Sequence, residues 1–175
     1  MLSFLESEQY ICSVFVLIPK AFRRGNLFSR MLGRKGSAMI KPNRAETRMV
    51  FPIFPADTNH YGTLFGGQAV AWIDQAAFIC ATRWCRRKVV TVHLGEINFH
   101  HAVSQGSIIE LVARLVRTGA RSMHIAVELW WEPMDREERV LACHAECVLV
   151  AIGDDGHAVA VPPLEPATDE DSDSR

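Results

Sequence analysis

The chain has 175 residues, of which 49% are hydrophobic, and its formal net charge at pH 7 is -1. This length and apolar content predict one globular domain with a substantial core. A charge so close to zero gives no global indication that the protein binds nucleic acid or a membrane.

Charged residues are concentrated at the two ends of the chain. Residues 1–41 contain seven basic residues against Glu6 and Glu8, and we interpret them as a poorly ordered basic extension. An Arg-rich, acid-free part of it also fits an organelle-targeting peptide, and a start assigned too early is the alternative. EPATDEDSDSR, residues 165–175, is predicted to be an acidic disordered tail. The folded domain is therefore expected over residues 42–164.

From Ala45 onwards the hydrophobic pattern predicts one strand, one helix and four further strands. The first strand is RMVFPIFP, in which Pro52 indicates the edge or the end of a sheet. The helix is predicted over residues 67–85, because its apolar residues recur every three or four positions. The other strands are predicted at VVTVHLGEINF, GSIIELVARLVRTG, RSMHIAVELWWEP and RVLACHAECVLVAI. The short segment RTGARS predicts a hairpin between the third and the fourth strand.

One long helix with five mostly antiparallel strands is an α+β fold. The helix and the long strands bury one another if a single curved sheet wraps around the helix. The strands contain more apolar residues than one face needs, as at Trp130 and Trp131. We therefore expect a homo-oligomer, with a two-fold dimer as the minimum.

The loop before the helix, DTNHYGTLFGG, contains three glycines. Gly62, Gly66 and Gly67 cost backbone entropy, so they indicate a conformation or a close approach that side chains would prevent. Asp74 follows inside the helix, where a buried carboxylate is rare unless it is paired or used. The unpaired N–H groups of Gly66 and Gly67 would suit an oxyanion. Because Asp74 lies about 10 Å along the axis from Gly67, we expect a partner subunit to complete the site.

The cysteines and histidines do not predict a metal site. Five cysteines without a C-x-x-C pair indicate reduced thiols. Cys143 and Cys147 share one face of the fifth strand and His144 takes the other, which favours core packing. No carboxylate stands at matching spacing near the histidines of the second strand. We expect neither a metal nor a cofactor.

The order of these motifs resembles the single-hotdog acyl-CoA thioesterases of the YciA and cytosolic acyl-CoA hydrolase type. It covers about residues 48–156 and rests on DTNHYGTLFGG, WIDQAA, VVTV, INF, RTGARSM and VELW. The resemblance implies a single hotdog domain that hydrolyses acyl-CoA to the free acid and CoA. It also implies dimers, often assembled into hexamers, that bind acyl-CoA at the dimer interface. CoA is then part of the substrate, and the cytoplasm is the expected location.

The resemblance also implies roles for individual residues. Asp74 corresponds to the helix Asp that acts as general base or nucleophile. Asn59 corresponds to the loop Asn of the partner subunit that helps to hold the water or the thioester. Asn59 alone could equally form a turn or cap the helix. Phe65, Trp72 and Phe99 are bulky residues whose side chains could lie inside or outside the acyl pocket.

Fixed cations are needed for the phosphates of CoA. In the hairpin between the third and fourth strands the family commonly has Gly-Arg-Ser/Thr-Ser. This chain has Gly119-Ala120-Arg121-Ser122, so its Arg is displaced by one position. The candidates are Arg117, Gly119, Arg121 and Ser122. The basic run 86–88 at the helix end is a second candidate, but a solvated helix end is the preferred interpretation.

Two other functions remain possible from sequence. A hotdog enoyl-CoA hydratase would share the D-x-N of Asp57 and Asn59, but its motif continues with Pro and a later His, whereas His60 follows directly here. A non-catalytic acyl-CoA sensor would use the same fold, but it would not need Asn59 and Asp74 together. Hydrolysis is therefore the favoured prediction.

Overall fold

The computed structural model describes residues 43–164. The predicted N-terminal extension and acidic tail lie outside these residues. The strands are β1 (Glu46–Pro52), β2 (Lys88–Phe99), β3 (Ser107–Thr118), β4 (Ser122–Pro133) and β5 (Val140–Ile152), and the helix is α1 (Gly66–Cys85). The predicted number, kind and order of these elements are confirmed.

The first strand is shorter than the sequence predicted. It ends at Pro52 rather than Pro55, because Pro55 begins a short 3-10 helix, Pro55–Asp57. Proline suits the first position of a helical turn, where no N–H is needed, and it cannot donate to a strand ladder. The chain therefore leaves the sheet here and enters the loop that leads to α1.

The five strands form one sheet in the order β1-β3-β4-β5-β2, and each neighbouring pair is antiparallel. β1 and β2 are its edges, in agreement with the indication from Pro52. One face of the sheet packs on α1, which confirms the α+β fold with a single helix wrapped by a five-stranded antiparallel sheet.

An alanine-rich face of α1 lies against the sheet. Small side chains let the helix backbone approach the strands closely, so that larger residues of the sheet fill the remaining space. The helix residues that are at most 1% exposed are Ala69, Ile73, Ala76, Ala77, Cys80 and Ala81. Each fully buried Leu or Ile of the facing strands contributes about 1.5–3 kcal/mol to stability.

Apolar side chains remain exposed along one side of the domain. Val90 and Val92 of the edge strand β2 are 40% and 56% exposed, and Phe78 on the outward face of α1 is 45% exposed. These exposed side chains mark an uncovered surface beside β2.

Within residues 43–164, no helix has both the length and the apolar content to cross a membrane.

Candidate active site

Asn59 organises the loop before α1. Its Oδ1 accepts hydrogen bonds from the backbone N–H groups of Tyr61 (2.9 Å) and Thr63 (3.3 Å), and its Nδ2 donates to Thr63 Oγ1 (3.0 Å). The N-cap of α1 is Phe65, so Asn59 does not cap the helix. Within one chain Asn59 is a turn-forming residue, which was the simpler of the two sequence interpretations.

Backbone hydrogen bonds fasten this loop to the segment after β2. Leu64 N–H donates to Val103 O (2.8 Å), and Gln105 N–H donates to Gly62 O (2.9 Å). Phe65 N–H donates to Asp57 O (3.0 Å) and closes the loop on itself. The first turn of α1 is therefore held in a fixed position relative to the end of β2.

The three glycines of the loop have three different environments. Gly62 has φ +73°, a conformation that side chains rarely adopt. A Cβ on Gly66 would lie 3.7 Å from Phe99 Cζ, an ordinary contact, and a Cβ on Gly67 would have nothing within 4 Å. Gly62 is thus explained by the fold, whereas the open space at Gly67 suits a group from outside the chain.

Asp74 lies beside the edge strand β2. Thr91 Oγ1 donates a hydrogen bond of 2.7 Å to Asp74 Oδ1. Asp74 is half-buried, so the expectation of a fully buried carboxylate was wrong for the single chain. The reason is its angular position, because Ile73, one residue earlier, takes the place on the core face.

Thr91 was missed by the sequence interpretation. It is in register with Leu149, whose side chain is fully buried on the inner face, so Thr91 also points towards α1. The available signal was a hydroxyl residue on the inner side of VVTV. Thr is also a common strand residue, and the pattern alone did not distinguish the two roles.

One chain does not bring all the catalytic candidates together. Asp74 lies about 12 Å along the helix axis from Gly66. In the part of the chain that the structure describes, no hydrogen bond joins Asp74 to Asn59, Gly66 or Gly67. The single subunit therefore has Asp74 with Thr91 in one place and Asn59 with the helix N-terminus in another.

The candidate CoA-binding residues lie at the hairpin between β3 and β4. A Cβ on Gly119 would lie 2.6 Å from Ser122 Oγ, so a side chain here would require the Ser122 hydroxyl group to rotate away. Gly119 N–H donates to Ser122 O (2.8 Å), and the Arg121 side chain is exposed. Gly119 and Ser122 thus have a structural role in the turn, and Arg121 is available to solvent.

A bulge in β3 turns Arg117 to the outer face of the sheet. The register shifts between Leu115 and Arg117, so that Arg117 pairs with His124. The Arg117 guanidinium lies 3.1–3.2 Å from the ring nitrogens of His124. Burial, and then the Arg117 charge, lower the pKa of His124, which favours its neutral form. Arg117 and Asp74 are therefore on opposite faces of one sheet.

The hairpin and the C-terminus of α1 form one positively charged end of the domain. The segment 161–164 connects them, because Val161 N–H donates to Ala120 O (3.2 Å) and Trp84 Nε1 donates to Pro162 O (3.0 Å). Among residues 43–164, the arginines here that form no ion pair with a carboxylate are Arg44, Arg83, Arg86, Arg87, Arg117 and Arg121.

A cavity of about 330 Å³ lies at the opposite end, beside the first turn of α1. Of the three bulky residues, Phe99 lines this cavity. Trp72 belongs to the core and stacks on Phe51, with ring centroids 4.8 Å apart. Phe65 is exposed and does not line the cavity.

The cysteines and His144 are arranged as core and surface residues. Cys143 and Cys147 are buried on the inner face of β5, and His144 pairs with Glu128 on the outer face. Their side chains therefore cannot bind one metal ion together. No cluster of three or more potential metal ligands occurs in the described part of the chain.

A model of the thioesterase superfamily matches residues 61–138. The chain is 34% identical to the acyl-CoA thioester hydrolase YkhA of Bacillus subtilis, over 78% of this chain and 75% of that protein. The chain belongs to this family. The predicted relationship to the hotdog-fold acyl-CoA thioesterases and the predicted enzyme class, a thioester hydrolase, are confirmed.

Solved structures of this family have the same fold. An apo-hexameric acyl-CoA thioesterase superposes with a TM-score of 0.69 at 32% identity, over 73% of this chain and 81% of that one. An acyl-CoA hydrolase from Staphylococcus aureus, in complex with butyryl-CoA and CoA, superposes with a TM-score of 0.67 at 31% identity, over 71% and 76% of the two chains. Variants of that hydrolase replace one Asp, one Asn and one Thr by Ala.

The glycine environments predict opposite effects of two substitutions. Gly62→Ala should lower the unfolding free energy by roughly 1 kcal/mol, because alanine is strained at this φ. Gly67→Ala should leave it unchanged or raise it slightly, since alanine favours the helix and meets no atom of the chain. If a ligand approaches Gly67, the same substitution should lower kcat/KM. Urea unfolding and thioesterase assays measure both effects, and a destabilised Gly67→Ala protein would contradict the assignment.

Proposed function

We propose that Asp74 is the general base or nucleophile of an acyl-CoA thioesterase, that Thr91 orients it, and that Asn59 of a partner subunit completes the site. The hydrogen bond from Thr91 Oγ1 to Asp74 Oδ1 carries this proposal. The Asn, Asp and Thr replaced in the S. aureus hydrolase are separated by the same intervals, fifteen and seventeen residues, as Asn59, Asp74 and Thr91.

Thioester hydrolysis requires a carboxylate and hydrogen-bond donors at the reacting carbonyl. A carboxylate either takes a proton from the attacking water or attacks the carbonyl carbon itself. N–H donors stabilise the oxyanion that develops, and Gly66 and Gly67 at the start of α1 have such donors. The tetrahedral intermediate then expels CoA as a thiolate, which takes up a proton. If the carboxylate itself attacked, water then hydrolyses the mixed anhydride on Asp74 to the free acid and restores the carboxylate. Thr91 holds Oδ1 of Asp74, so that Oδ2 is left for the water or the carbonyl carbon.

A partner subunit is needed for this chemistry. Asp74 and the donors of Gly66 and Gly67 are too far apart in one chain, and Asp74 lies half-buried beside β2, an edge strand on which Val90 and Val92 are exposed. A second copy packed on this surface would bury the apolar side chains and bring its own loop to Asp74. A dimer is the minimum, and a hexamer is supported by the similarity to the apo-hexameric thioesterase.

The positively charged end of the domain supports binding of CoA. CoA has a 3′-phosphate and a pyrophosphate, and an arginine binds phosphate oxygens with two parallel hydrogen bonds. Arg121 is exposed without a carboxylate partner, and Arg117 is held in place beside His124. Both arginines are therefore available to a phosphate group, and Gly119 and Ser122 shape the turn between them.

Neither alternative function has an observation that favours it. A hydratase has no use for the Thr91–Asp74 pair, and the Asp57 carboxylate accepts a hydrogen bond from Phe54 N–H (3.0 Å), a structural role in the loop. A sensor would bind acyl-CoA without hydrolysing it. The cytoplasm remains the predicted location.

Replacing Asp74 by Asn tests the reaction. We expect wild-type protein to release CoA from acyl-CoAs, and Asp74→Asn to reduce kcat by about a thousandfold or more, because an amide neither accepts the proton nor attacks the carbonyl. The matched control is Asp154→Asn, the same change at an exposed loop position. Binding of acyl-CoA without release of CoA by the wild type would favour the sensor instead.

Replacing Thr91 by Val tests the positioning role. Valine keeps the shape of threonine but removes the hydrogen bond to Asp74, so kcat should fall roughly tenfold while KM is unchanged. Thr91→Ser should restore most of kcat, since serine has the same hydroxyl group. Equal losses in Thr91→Val and Thr91→Ser would indicate a packing role.

Replacing the arginines by Gln tests the CoA site. Arg117→Gln and Arg121→Gln should each raise KM for acyl-CoA by about tenfold and leave kcat unchanged, because a charge-assisted hydrogen bond to phosphate is lost far from the reacting carbonyl. Arg87→Gln, at the solvated end of α1, is the control with the same change of charge. An increase of KM in Arg87→Gln alone would move the phosphate site to the helix end.

A further inference from the structure

The cavity at the start of α1 has a buried apolar wall and an exposed mouth. Its inner wall consists of residues that are at most 1% exposed, namely Ala69, Leu129, Ala142 and Cys143. Gly66, Phe99 and His100 are exposed and surround the opening. A cavity of about 330 Å³ is within the range of small-molecule sites. Its ligand should therefore have an apolar group that enters first and a polar group that stays outside.

A bulge in β5 forms part of this buried wall. The register between β4 and β5 shifts between Leu129 and Trp130, so Ala142 and Cys143 both turn inward although they are adjacent. Ala142 O accepts hydrogen bonds from the N–H groups of His100 (2.8 Å) and His101 (3.3 Å), which fixes the bulge beside the mouth. Two small side chains thus stand where a regular strand would place one.

The position of Gly66 connects the cavity with the reaction. Gly66 lines the cavity and belongs to the helix turn whose N–H groups we assign to the oxyanion. A carbonyl held there has its acyl chain at the mouth, and of the two ends of an acyl-CoA only the acyl end is apolar. If the proposed function holds, the cavity and the carbonyl site are therefore continuous.

We propose that this cavity receives the acyl chain of the substrate and that Cys143 and Ala142 at its closed end set the greatest chain length. This assignment rests on the proposed thioesterase function. Chains that end within the cavity should therefore be hydrolysed faster than chains that are too long to fit it.

Cys143 contributes to the wall and not to the chemistry. Burial raises the pKa of the Cys143 thiol to about 11, so the thiol is protonated at neutral pH and is a poor nucleophile. A protonated cysteine behaves as a small hydrophobic residue. Changes in its size should therefore alter chain-length preference without removing a reacting group.

The test is a series of saturated acyl-CoAs from two to sixteen carbons, with kcat/KM measured for each. Cys143→Met fills the buried end and should lower kcat/KM at least tenfold more for the longest chains that the wild type hydrolyses efficiently than for four-carbon chains. Cys143→Ala enlarges the cavity and should move the optimum to longer chains. Cys80→Met and Cys80→Ala are the matched controls, because Cys80 is equally buried but does not line the cavity.

The outcomes separate this inference from the proposed function. A wild-type protein that hydrolyses no acyl-CoA would overturn the proposed function itself. A hydrolase whose length profile is the same in Cys143→Met and Cys80→Met would overturn only the cavity assignment. Melting temperatures of the four variants show whether each is folded. If Cys143→Met does not fold, an unchanged length profile in Cys143→Ala, which removes only the sulfur atom, would be enough to overturn the cavity assignment.

Discussion

The close packing of α1 on the sheet determines the rest of the structure. The alanines on its inner face allow one helix to lie inside the curve of five strands, and they fix its rotation about its own axis. Because Ile73 occupies the core position, Asp74 must face the edge strand, within hydrogen-bonding distance of Thr91. At the first turn, Ala69 and the bulge at Ala142 leave a cavity. The proposed catalytic carboxylate and the proposed acyl site both depend on this one contact.

A site that is incomplete in one chain has a chemical advantage. Asp74 is half-buried beside the edge strand β2, so water reaches it in the single subunit. Packing a second copy there would exclude that water and strengthen every electrostatic interaction in the site. Assembly and activation would then be the same event, and an isolated chain would have the residues but not the environment for hydrolysis.

The sequence predicted the elements because each contains a long run of apolar residues at helix or strand spacing. The helix is apolar every three or four residues and the strands alternate, so their bounds differ from the structure by only a few residues. Asn59 and Asp74 were noticed because they are polar in an apolar or glycine-rich context. The bulges at Val116 and Ala142 were not predicted, since a bulge adds one residue to a strand without changing its composition. They nevertheless decide which way Arg117 points and how deep the cavity is.

The two ends of α1 explain why the substrate must cross between subunits. The acyl cavity lies at the N-terminus of a twenty-residue helix and the unpaired arginines lie at its C-terminus, about 30 Å away along the axis. Arg117 also faces the outer side of the sheet, away from Asp74 of its own chain. If the carbonyl of an acyl-CoA binds at Gly66, as proposed, the phosphates would therefore have to reach arginines of another subunit. The interface between subunits would then contribute to specificity at both ends of the substrate, because each chain would contribute the acyl site of one substrate molecule and the phosphate site of the next.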